Sequence, residues 1–227
     1  MQRFVSAGIY LVTSQTMSMG RSTVEIVRAA LAGGVRLIQL REKELSTTAF
    51  MDLACKIRAM TKKAGALLLI NDRLDVALAV NADGVHLGQD DFSVKEARKL
   101  APDLIIGASS HSPKQAAKAQ KDGASYVNIG PIFPTKTKKW TGEFLGIDGL
   151  KKISSKISIP FTVMGGIKKE HIPQLVSAGA RTIAVVTAIT AAKNPEKAAR
   201  ELLKLVNRNG GRYLGGVKWS QYQSENR

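Results

Sequence analysis

The stretch Ser177-Ala178-Gly179-Ala180-Arg181-Thr182-Ile183-Ala184-Val185-Val186 shows the unit from which this chain is built. Small residues and a glycine end a helix-like segment, and a short apolar run follows. Glycine just past a helix end favours the left-handed conformation that closes the last turn. The apolar run is rich in valine and isoleucine, which is typical of a strand buried on both faces. The stretch therefore predicts a helix followed directly by a buried parallel strand.

The same arrangement recurs along the chain, at Ala30–Gly34 before Val35–Leu40, at Asn81–Gly84 before Val85–Leu87, and at Lys121–Ala124 before Tyr126–Ile129. Extending it predicts eight strands, near residues 8–13, 36–41, 66–71, 84–88, 104–109, 126–130, 160–165 and 181–187. Helical patterns lie between them, for example at 21–33, 47–63, 93–100, 112–122, 169–178 and 194–207. Alternating strands and helices predict right-handed crossovers and a parallel sheet. Eight such units in about 200 residues predict an α/β protein with a single (β/α)8 TIM barrel.

An open doubly wound sheet is the alternative fold. No Gly-x-Gly-x-x-Gly follows a predicted strand, which argues against a dinucleotide-binding sheet. No linker divides the chain, so we expect one catalytic domain over residues 1–208. Residues 209–227 are rich in glycine, serine and glutamine, and we expect them to form a loosely ordered C-terminal tail.

Composition excludes several classes of protein. The longest apolar run, at residues 66–70, is far shorter than the roughly 20 residues that cross a bilayer. A single cysteine, Cys55, cannot form an internal disulfide or a cysteine zinc site. It falls on the side of a predicted helix opposite the apolar positions, which indicates an unreactive reduced thiol. We therefore expect a cytoplasmic protein with no membrane partner.

The net charge of +16 is unevenly distributed. Residues 1–92 hold 11 basic and 9 acidic side chains, whereas residues 93–227 hold 23 and 9. Such a basic half favours polyanions, either nucleic acid or phosphorylated small molecules. Aromatic residues are few, so base stacking has little support. Nucleic-acid binding is thus the alternative function, and we expect no nucleic-acid partner because the polar motifs follow strands while most excess lysines lie in predicted helices.

Polar residues gather where the predicted strands end. They are Gln39–Lys43, Asn71–Arg73, Gly88–Asp91, Ser109–His111, Gly130–Lys138, Gly165–Gly166 and Val186–Thr187. The carboxyl ends of barrel strands meet at one rim, where active sites lie. On the second strand, alternation places Gln39, Arg41 and Lys43 on one face, with Val35 and Leu37 below them inside the barrel. These residues therefore predict one site at that rim.

Two acidic strand ends, at Asp72 and Asp91, could hold a hard cation partly through water. Alternatively, Asp91 could cap the helix that starts near Ser93. Gly165-Gly166 and Val186-Thr187 follow the last two strands, where barrels frequently bind phosphate.

The three histidines are far apart in the sequence, and no zinc-type spacing connects them. We expect His86 to be a packed interior residue, His111 to reach the rim and His171 to open a helix and face solvent.

Taken together, these strand ends resemble those of the thiamine phosphate synthase family. The matching segments are Gln39–Lys43, Ile70–Arg73, Gly84–Asp91, Ile106–His111, Gly130–Lys138, Gly165–Ile167 and Val185–Ile189. They occur in the family's order and span the chain from about residue 8 to about residue 206. Thr187 stands where the family usually has a serine, and the hydroxyl is retained.

The resemblance implies a transferase of thiamine biosynthesis. Its substrates would be 4-amino-5-hydroxymethyl-2-methylpyrimidine diphosphate and 4-methyl-5-(2-phosphoethyl)-thiazole, or the carboxylated form of the thiazole. Its products would be thiamine phosphate and diphosphate.

The resemblance also implies site residues. Those for the pyrimidine diphosphate would be Gln39, Arg41, Lys43, Asn71, Ser109 and Lys138, with Leu40, Glu42 and Lys136 as further substrate contacts. Those for the thiazole phosphate would be Thr135, Thr137, Gly166, Val186 and Thr187. Asp72 and Asp91 would bind Mg²⁺, and Arg41, Lys43 and Lys138 would be catalytic by stabilising the leaving diphosphate.

Two other enzymes remain as alternatives. A thiazole tautomerase with the same barrel would need a proton shuttle, for which His111 is the candidate, but it would not need an Mg²⁺-diphosphate site. A different phosphate-binding barrel would share only the features after strands seven and eight. The sequence makes no prediction of the oligomeric state.

Overall fold

The computed structural model describes residues 1–135, 137 and 141–210. Eight parallel strands form a closed barrel in chain order, and the last strand pairs with the first. The strands are β1 (Ile9–Val12), β2 (Leu37–Leu40), β3 (Leu67–Asn71), β4 (Gly84–Leu87), β5 (Ile105–Ser110), β6 (Tyr126–Ile129), β7 (Phe161–Val163) and β8 (Thr182–Val185). Each lies at its predicted position. The prediction of a single (β/α)8 TIM barrel is confirmed. Because β8 pairs with β1, the alternative of an open doubly wound sheet is excluded.

Helices precede, connect and follow the strands. Among the described residues they are α1 (Gln2–Val5), α2 (Thr23–Ala32), α3 (Thr47–Lys63), α4 (Leu74–Ala79), α5 (Val94–Leu100), α6 (Pro113–Lys121), α7 (Gly146–Ser154), α8 (Ile172–Ser177), α9 (Thr187–Thr190) and α10 (Pro195–Gly210). Short 3₁₀ turns lie at Gln15–Met17 and Lys169–His171. The first two residues of the predicted tail, 209 and 210, belong to the end of α10. Residues 211–227 lie outside the described residues.

Local sequence signals set the ends of these helices. Ser22 caps α2, because its side chain accepts from the Glu25 N–H while the Glu25 carboxylate accepts from the Ser22 N–H at 2.8 Å. At three of the four predicted helix ends the glycine takes the left-handed conformation; these are Gly34, Gly123 and Gly179. The exception is the turn after α4, where Asn81 adopts φ 51° instead. Asparagine tolerates this region because its short polar side chain can bond locally.

The apolar residues form two layers. The larger layer lies between the strands and the helices, whereas a smaller one fills the barrel and includes Phe4, Leu37, Tyr10 and Tyr126. Leu37 thus lies inside as predicted. The prediction for Val35 was wrong: it precedes the first paired residue of β2, where alternation does not yet apply, and packs in the outer layer.

The described residues also show where Cys55 lies and how long and apolar the helices are. Cys55 is exposed on α3, as its position in the helical pattern predicted. Within the described ranges, no helix is long and apolar enough to span a membrane.

Candidate active site

The carboxyl ends of the strands surround one cleft, as the sequence predicted. Twelve predicted site residues line it: Gln39, Arg41, Lys43, Asn71, Asp72, Asp91, Ser109, Thr135, Thr137, Gly166, Val186 and Thr187. They come from six of the eight strand ends and from the segment after β6. Closure of the barrel brings them together, because each parallel strand delivers its last residues to the same rim.

Two carboxylates face each other on one side of the cleft. Asp91 accepts a hydrogen bond from the backbone N–H of Gly88 at 2.7 Å, and Lys43 Nζ lies 3.3 Å from Asp72 Oδ2. Partial burial and contact with the carboxyl group of Asp72 raise the pKa of Asp91. Helix α5 begins after Ser93 and Asp91 does not cap it, so the capping alternative is excluded. Asp72 itself adopts φ 62°, a left-handed conformation that aspartate tolerates at a turn.

The donor set suits Mg²⁺ better than a metal that needs an all-protein cage. Within the described ranges, no group of three or more His, Cys, Asp or Glu side chains could hold a metal ion. Mg²⁺ is usually held by one or two carboxylates, with waters and substrate phosphates completing its shell. Asp72 and Asp91 supply two such carboxylates whose mutual repulsion a cation would relieve.

Basic side chains stand beside this carboxylate pair. The Arg41 backbone N–H donates to Thr13 Oγ1 at 2.9 Å, which holds the end of β2 against the end of β1. The guanidinium of Arg41 makes no hydrogen bond to the described part of the chain. Arg41 and Lys43 are therefore placed to meet an anion in the cleft.

The opposite wall is built from backbone and hydroxyl groups. Gly166 adopts φ 63°, and a Cβ there would lie 2.2 Å from the Pro134 carbonyl oxygen, so only glycine fits. This close approach holds Thr135 and Thr137 beside the end of β7; their hydroxyl oxygens lie 3.2 Å apart. The chain then enters α9 at Thr187, and the first N–H groups of a helix have no partner within it. Such a wall can accept a phosphate.

A chain of buried polar side chains lies at the base of the cleft. Gln39 Nε2 donates to the Tyr10 hydroxyl at 2.6 Å, and the Tyr10 and Tyr126 hydroxyl oxygens lie 3.0 Å apart. His86 Nδ1 lies 2.9 Å from the Tyr126 hydroxyl, and His86 Nε2 lies 3.0 Å from Ser109 Oγ. Burial lowers the pKa of His86 to about 4 and raises the pKa of both tyrosines. His86 is thus an interior residue as predicted, and it also borders the cleft.

Two of the predicted substrate contacts, Leu40 and Glu42, lie away from the cleft. Leu40 is fully buried in the outer layer, because alternation along β2 turns it toward the helices. The Glu42 carboxylate points away and accepts from the Gln15 N–H at 2.8 Å and from Thr23 Oγ1 at 2.7 Å. The structure therefore does not support a substrate contact for either side chain. Lys136 and Lys138 lie outside the described residues.

The cleft also contains residues that the sequence analysis did not single out. Asn128 is buried in its wall, where its Oδ1 accepts from Thr162 Oγ1 at 2.9 Å and its Nδ2 contacts Met164 Sδ. A polar residue inside the apolar strand Tyr126–Ile129 was the available signal. His111 reaches the cleft as predicted, and its Nδ1 contacts the Gly130 carbonyl.

His171 precedes the first residue of α8, as predicted, but it does not simply face solvent. It ends a 3₁₀ turn and is half-buried, and its ring centroid lies 4.0 Å from that of Phe133.

Comparison with known proteins identifies the family. The family model described as thiamine monophosphate synthase matches residues 9–189. The chain is 44% identical to the thiamine-phosphate synthase of Chloroflexus aurantiacus over 199 residues, which are 88% of this chain and 92% of that protein. It is also 44% identical to the thiamine-phosphate synthase of Archaeoglobus fulgidus over 200 residues, 88% of this chain and 93% of that one.

A solved structure agrees with these relatives. Thiamine phosphate pyrophosphorylase from Pyrococcus furiosus superposes with a TM-score of 0.84 at 37% identity, covering 92% of this chain and 99% of that one. The relatives indicate a transferase enzyme of thiamine biosynthesis. The family model spans most of the barrel, and the relatives match almost nine-tenths of the chain. This chain therefore belongs to the thiamine monophosphate synthase family.

Proposed function

We propose that this enzyme condenses 4-amino-5-hydroxymethyl-2-methylpyrimidine diphosphate with 4-methyl-5-(2-phosphoethyl)-thiazole, or its carboxylated form, to give thiamine phosphate and diphosphate. One observation carries the proposal. On one side of the cleft the basic side chains of Arg41 and Lys43 stand beside the carboxylate pair of Asp72 and Asp91, and a wall of backbone and hydroxyl groups lies opposite, at Gly166. A reaction that joins two phosphorylated molecules needs two such places.

The wall of Arg41 and Lys43 would hold the pyrimidine diphosphate, together with Asn71 and Lys138. Asp72 and Asp91 would bind Mg²⁺, which when present neutralises charge on the diphosphate. Lys43 already lies beside Asp72, so one side chain can contact both the metal-binding carboxylate and the bound anion. Gln39 and Ser109 border the cleft next to these groups and would contact the pyrimidine ring.

The opposite wall would hold the thiazole phosphate. Thr135 and Thr137 offer hydroxyl groups, and Gly166, Val186 and Thr187 offer backbone that side chains do not obstruct. Lys136 belongs to the same segment and would add a positive charge. The thiazole nitrogen would then face the pyrimidine methylene carbon from across the cleft.

The chemistry needs no enzyme nucleophile. The bond between the methylene carbon and the diphosphate oxygen breaks, and both electrons leave with the diphosphate. The electron-rich aminopyrimidine supports the methylene cation, and the thiazole nitrogen lone pair forms the new carbon–nitrogen bond. Arg41, Lys43 and Lys138 would stabilise the charge that develops on the leaving group, while the two walls hold the reactants close and oriented.

A thiazole tautomerase is the second candidate, and His111 favours it by lining the cleft. That reaction moves a proton and does not use a carboxylate pair beside basic side chains. Asp72 and Asp91 therefore favour the condensation. The high net charge keeps nucleic-acid binding as a weaker alternative; such binding would fall steeply with salt.

Incubation of the purified protein with both heterocycles and Mg²⁺ tests the proposal. We expect thiamine phosphate and diphosphate in equal amounts, and neither product when one heterocycle is omitted or when chelator is in excess. Solvent-proton exchange into the thiazole without condensation would instead support the tautomerase.

A further inference from the structure

The buried side chains beneath the proposed pyrimidine pocket connect its two ends. Three of these residues, Tyr10, Tyr126 and His86, are here called the relay. We infer that the relay fixes which end of the pocket accepts a hydrogen bond and which end donates one. In this way it selects a 4-aminopyrimidine over a 4-oxopyrimidine. The inference rests on the proposed function, because it concerns the pyrimidine substrate. Gln39 and Ser109 form the two ends of the pocket.

The direction of the relay follows from its first bond. Gln39 Nε2 lies 2.6 Å from the Tyr10 hydroxyl, and an amide nitrogen can only donate. Tyr10 accepts this bond, so its single hydroxyl hydrogen is left for Tyr126, 3.0 Å away. Tyr126 accepts from Tyr10 and must use its own hydrogen toward His86 Nδ1, 2.9 Å away. Every bond in this half of the relay therefore runs from Gln39 toward His86.

His86 continues the same order of donor and acceptor from Tyr126 to Ser109. Tyr126 donates to His86 Nδ1, so this nitrogen carries no hydrogen, and an imidazole with one unprotonated nitrogen has a single N–H. Since Nδ1 accepts from Tyr126, the proton lies on Nε2 and is donated to Ser109 Oγ at 3.0 Å. Ser109 accepts this bond, so its hydroxyl hydrogen remains available to a molecule in the cleft.

The two ends therefore differ in character. The carbonyl oxygen of Gln39 makes no hydrogen bond within the described part of the chain, and it presents an acceptor. Ser109 presents a donor. A 4-aminopyrimidine offers the matching pair, an amine N–H beside a ring nitrogen that accepts. A 4-oxopyrimidine offers the reverse, a carbonyl beside a ring N–H.

Binding the oxo compound would require reversal of the whole relay. The Gln39 amide would have to flip, both tyrosine hydroxyls would have to turn, and His86 would have to change tautomer. These changes are coupled, because each tyrosine hydroxyl and the neutral imidazole has only one hydrogen to donate. A site that hydrogen-bonds its substrate rejects an analogue that leaves buried polar groups unpaired, and the discrimination can be large.

Packing holds the two tyrosines of the relay in place and away from the substrate. Tyr10 and Tyr126 are fully buried below the cleft and do not line it. The Tyr126 ring crosses Gly107 so closely that a Cβ there would lie 2.1 Å from the ring. On its other side the ring packs against Phe4, with centroids 4.3 Å apart. The two tyrosines are therefore positioning residues, which act through Gln39, His86 and Ser109.

The test compares Tyr126→Phe with Phe4→Leu. The first removes one hydroxyl from the relay, whereas the second disturbs the same packed layer and leaves every relay bond in place. We measure kcat/KM for the amino substrate and for its 4-oxo analogue, both as diphosphates. We expect Tyr126→Phe to reduce the ratio of kcat/KM for the amino substrate to kcat/KM for the oxo analogue at least tenfold. Phe4→Leu should keep the wild-type ratio. Equal ratios in all three proteins would overturn the inference.

A second measurement reads the relay without any substrate. The chain has 3 histidines, and ¹⁵N chemical shifts of their rings distinguish the tautomers. Comparison with His86→Gln assigns the His86 signals. We expect the Nε2–H tautomer in the wild type and a mixture in Tyr126→Phe; an Nδ1–H tautomer in the wild type would overturn the inference. Tyr10→Phe serves in the same way if Tyr126→Phe does not fold.

The two proposals can fail separately. If the wild type turns over neither pyrimidine, the proposed function fails and the inferred specificity fails with it, while the nitrogen shifts still decide the direction of the relay. If the wild type uses the amino substrate but Tyr126→Phe discriminates as well as before, the inference alone fails.

Discussion

The carboxylate of Asp91 accepts a hydrogen bond from the backbone N–H of Gly88 at 2.7 Å, and this bond turns it into the cleft toward Asp72. A Cβ on Gly88 would lie only 2.6 Å from Asp91 Oδ2. The absence of a side chain at residue 88 thus decides where the second carboxylate points. One glycine hydrogen-bonds the carboxylate and also leaves room for it.

Gly88→Ala should therefore displace Asp91 and weaken Mg²⁺ binding. We expect the Mg²⁺ concentration at half-maximal activity to rise by about tenfold, since groups that orient metal ligands typically contribute 10–100-fold to affinity. Ser93→Ala is the matched control in the same segment, because the Ser93 side chain makes no capping bond. An unchanged Mg²⁺ requirement in Gly88→Ala would show that Asp91 is not a ligand.

Replacing the carboxylates themselves should have a larger effect. Asp72→Asn or Asp91→Asn should lower turnover by orders of magnitude and leave the barrel folded, because each removes a charge that repels its neighbour. Asp90→Asn is the control, since Asp90 is exposed and does not line the cleft. Activity is measured across a Mg²⁺ titration, and folding by circular dichroism. Full wild-type activity in excess chelator would exclude the metal site.

The two walls of the cleft should respond to different substrates. Arg41→Ala should mainly raise the KM for the pyrimidine diphosphate, whereas Thr135→Ala and Thr137→Ala should mainly raise the KM for the thiazole phosphate. Lys56→Ala, on the exposed side of α3, should change neither. Steady-state kinetics with each substrate varied in turn give the answer. A rise in the KM for the same substrate in all three site variants would contradict the assignment of the walls.

His86 should make stability depend on pH in mildly acid solution. Its pKa is about 4 in the folded protein and about 6.5 when unfolded, so below pH 6.5 the unfolded chain binds a proton that the folded chain does not. The part of the unfolding free energy that depends on a neutral His86 is fully present above about pH 6.5 and is lost as the pH falls toward 4. Between about pH 7.5 and pH 5 the wild type should lose about 2 kcal/mol more unfolding free energy than His86→Gln. Urea unfolding of both proteins at the two pH values measures this difference. Equal losses of unfolding free energy in the wild type and in His86→Gln would contradict the lowered pKa of His86.

Breaking the carbon–oxygen bond before the thiazole attacks should make turnover sensitive to ring electronics. A trifluoromethyl group in place of the pyrimidine methyl withdraws electrons but hardly alters the diphosphate. The analogue should bind nearly as well and turn over at least about a hundredfold more slowly, the pattern of an interaction lost in the transition state. Single-turnover kinetics separate binding from chemistry. Near-normal turnover with chemistry rate-limiting would favour direct displacement.

The barrel and its rim were determined by local sequence. Six of the eight strands follow a turn with a left-handed glycine or asparagine, and the strands are mostly runs of buried apolar residues. Closure follows from eight repeats of one strand–helix unit. Because parallel strands end at one rim, Arg41, Asp72, Ser109 and Thr187 could be placed in one site from the sequence alone. The family resemblance added roles to these positions, and the comparisons confirmed the family.

Only the tertiary structure decided how these residues face one another. Tyr10 and Tyr126 are 116 positions apart, and nothing in either strand predicts that their hydroxyl groups meet inside the barrel. The partners of Glu42 were likewise undetermined, because its carboxylate accepts from Gln15 and Thr23, which belong to other segments of the chain. Pairwise distances across a closed barrel depend on the register of all eight strands together, which no single segment encodes.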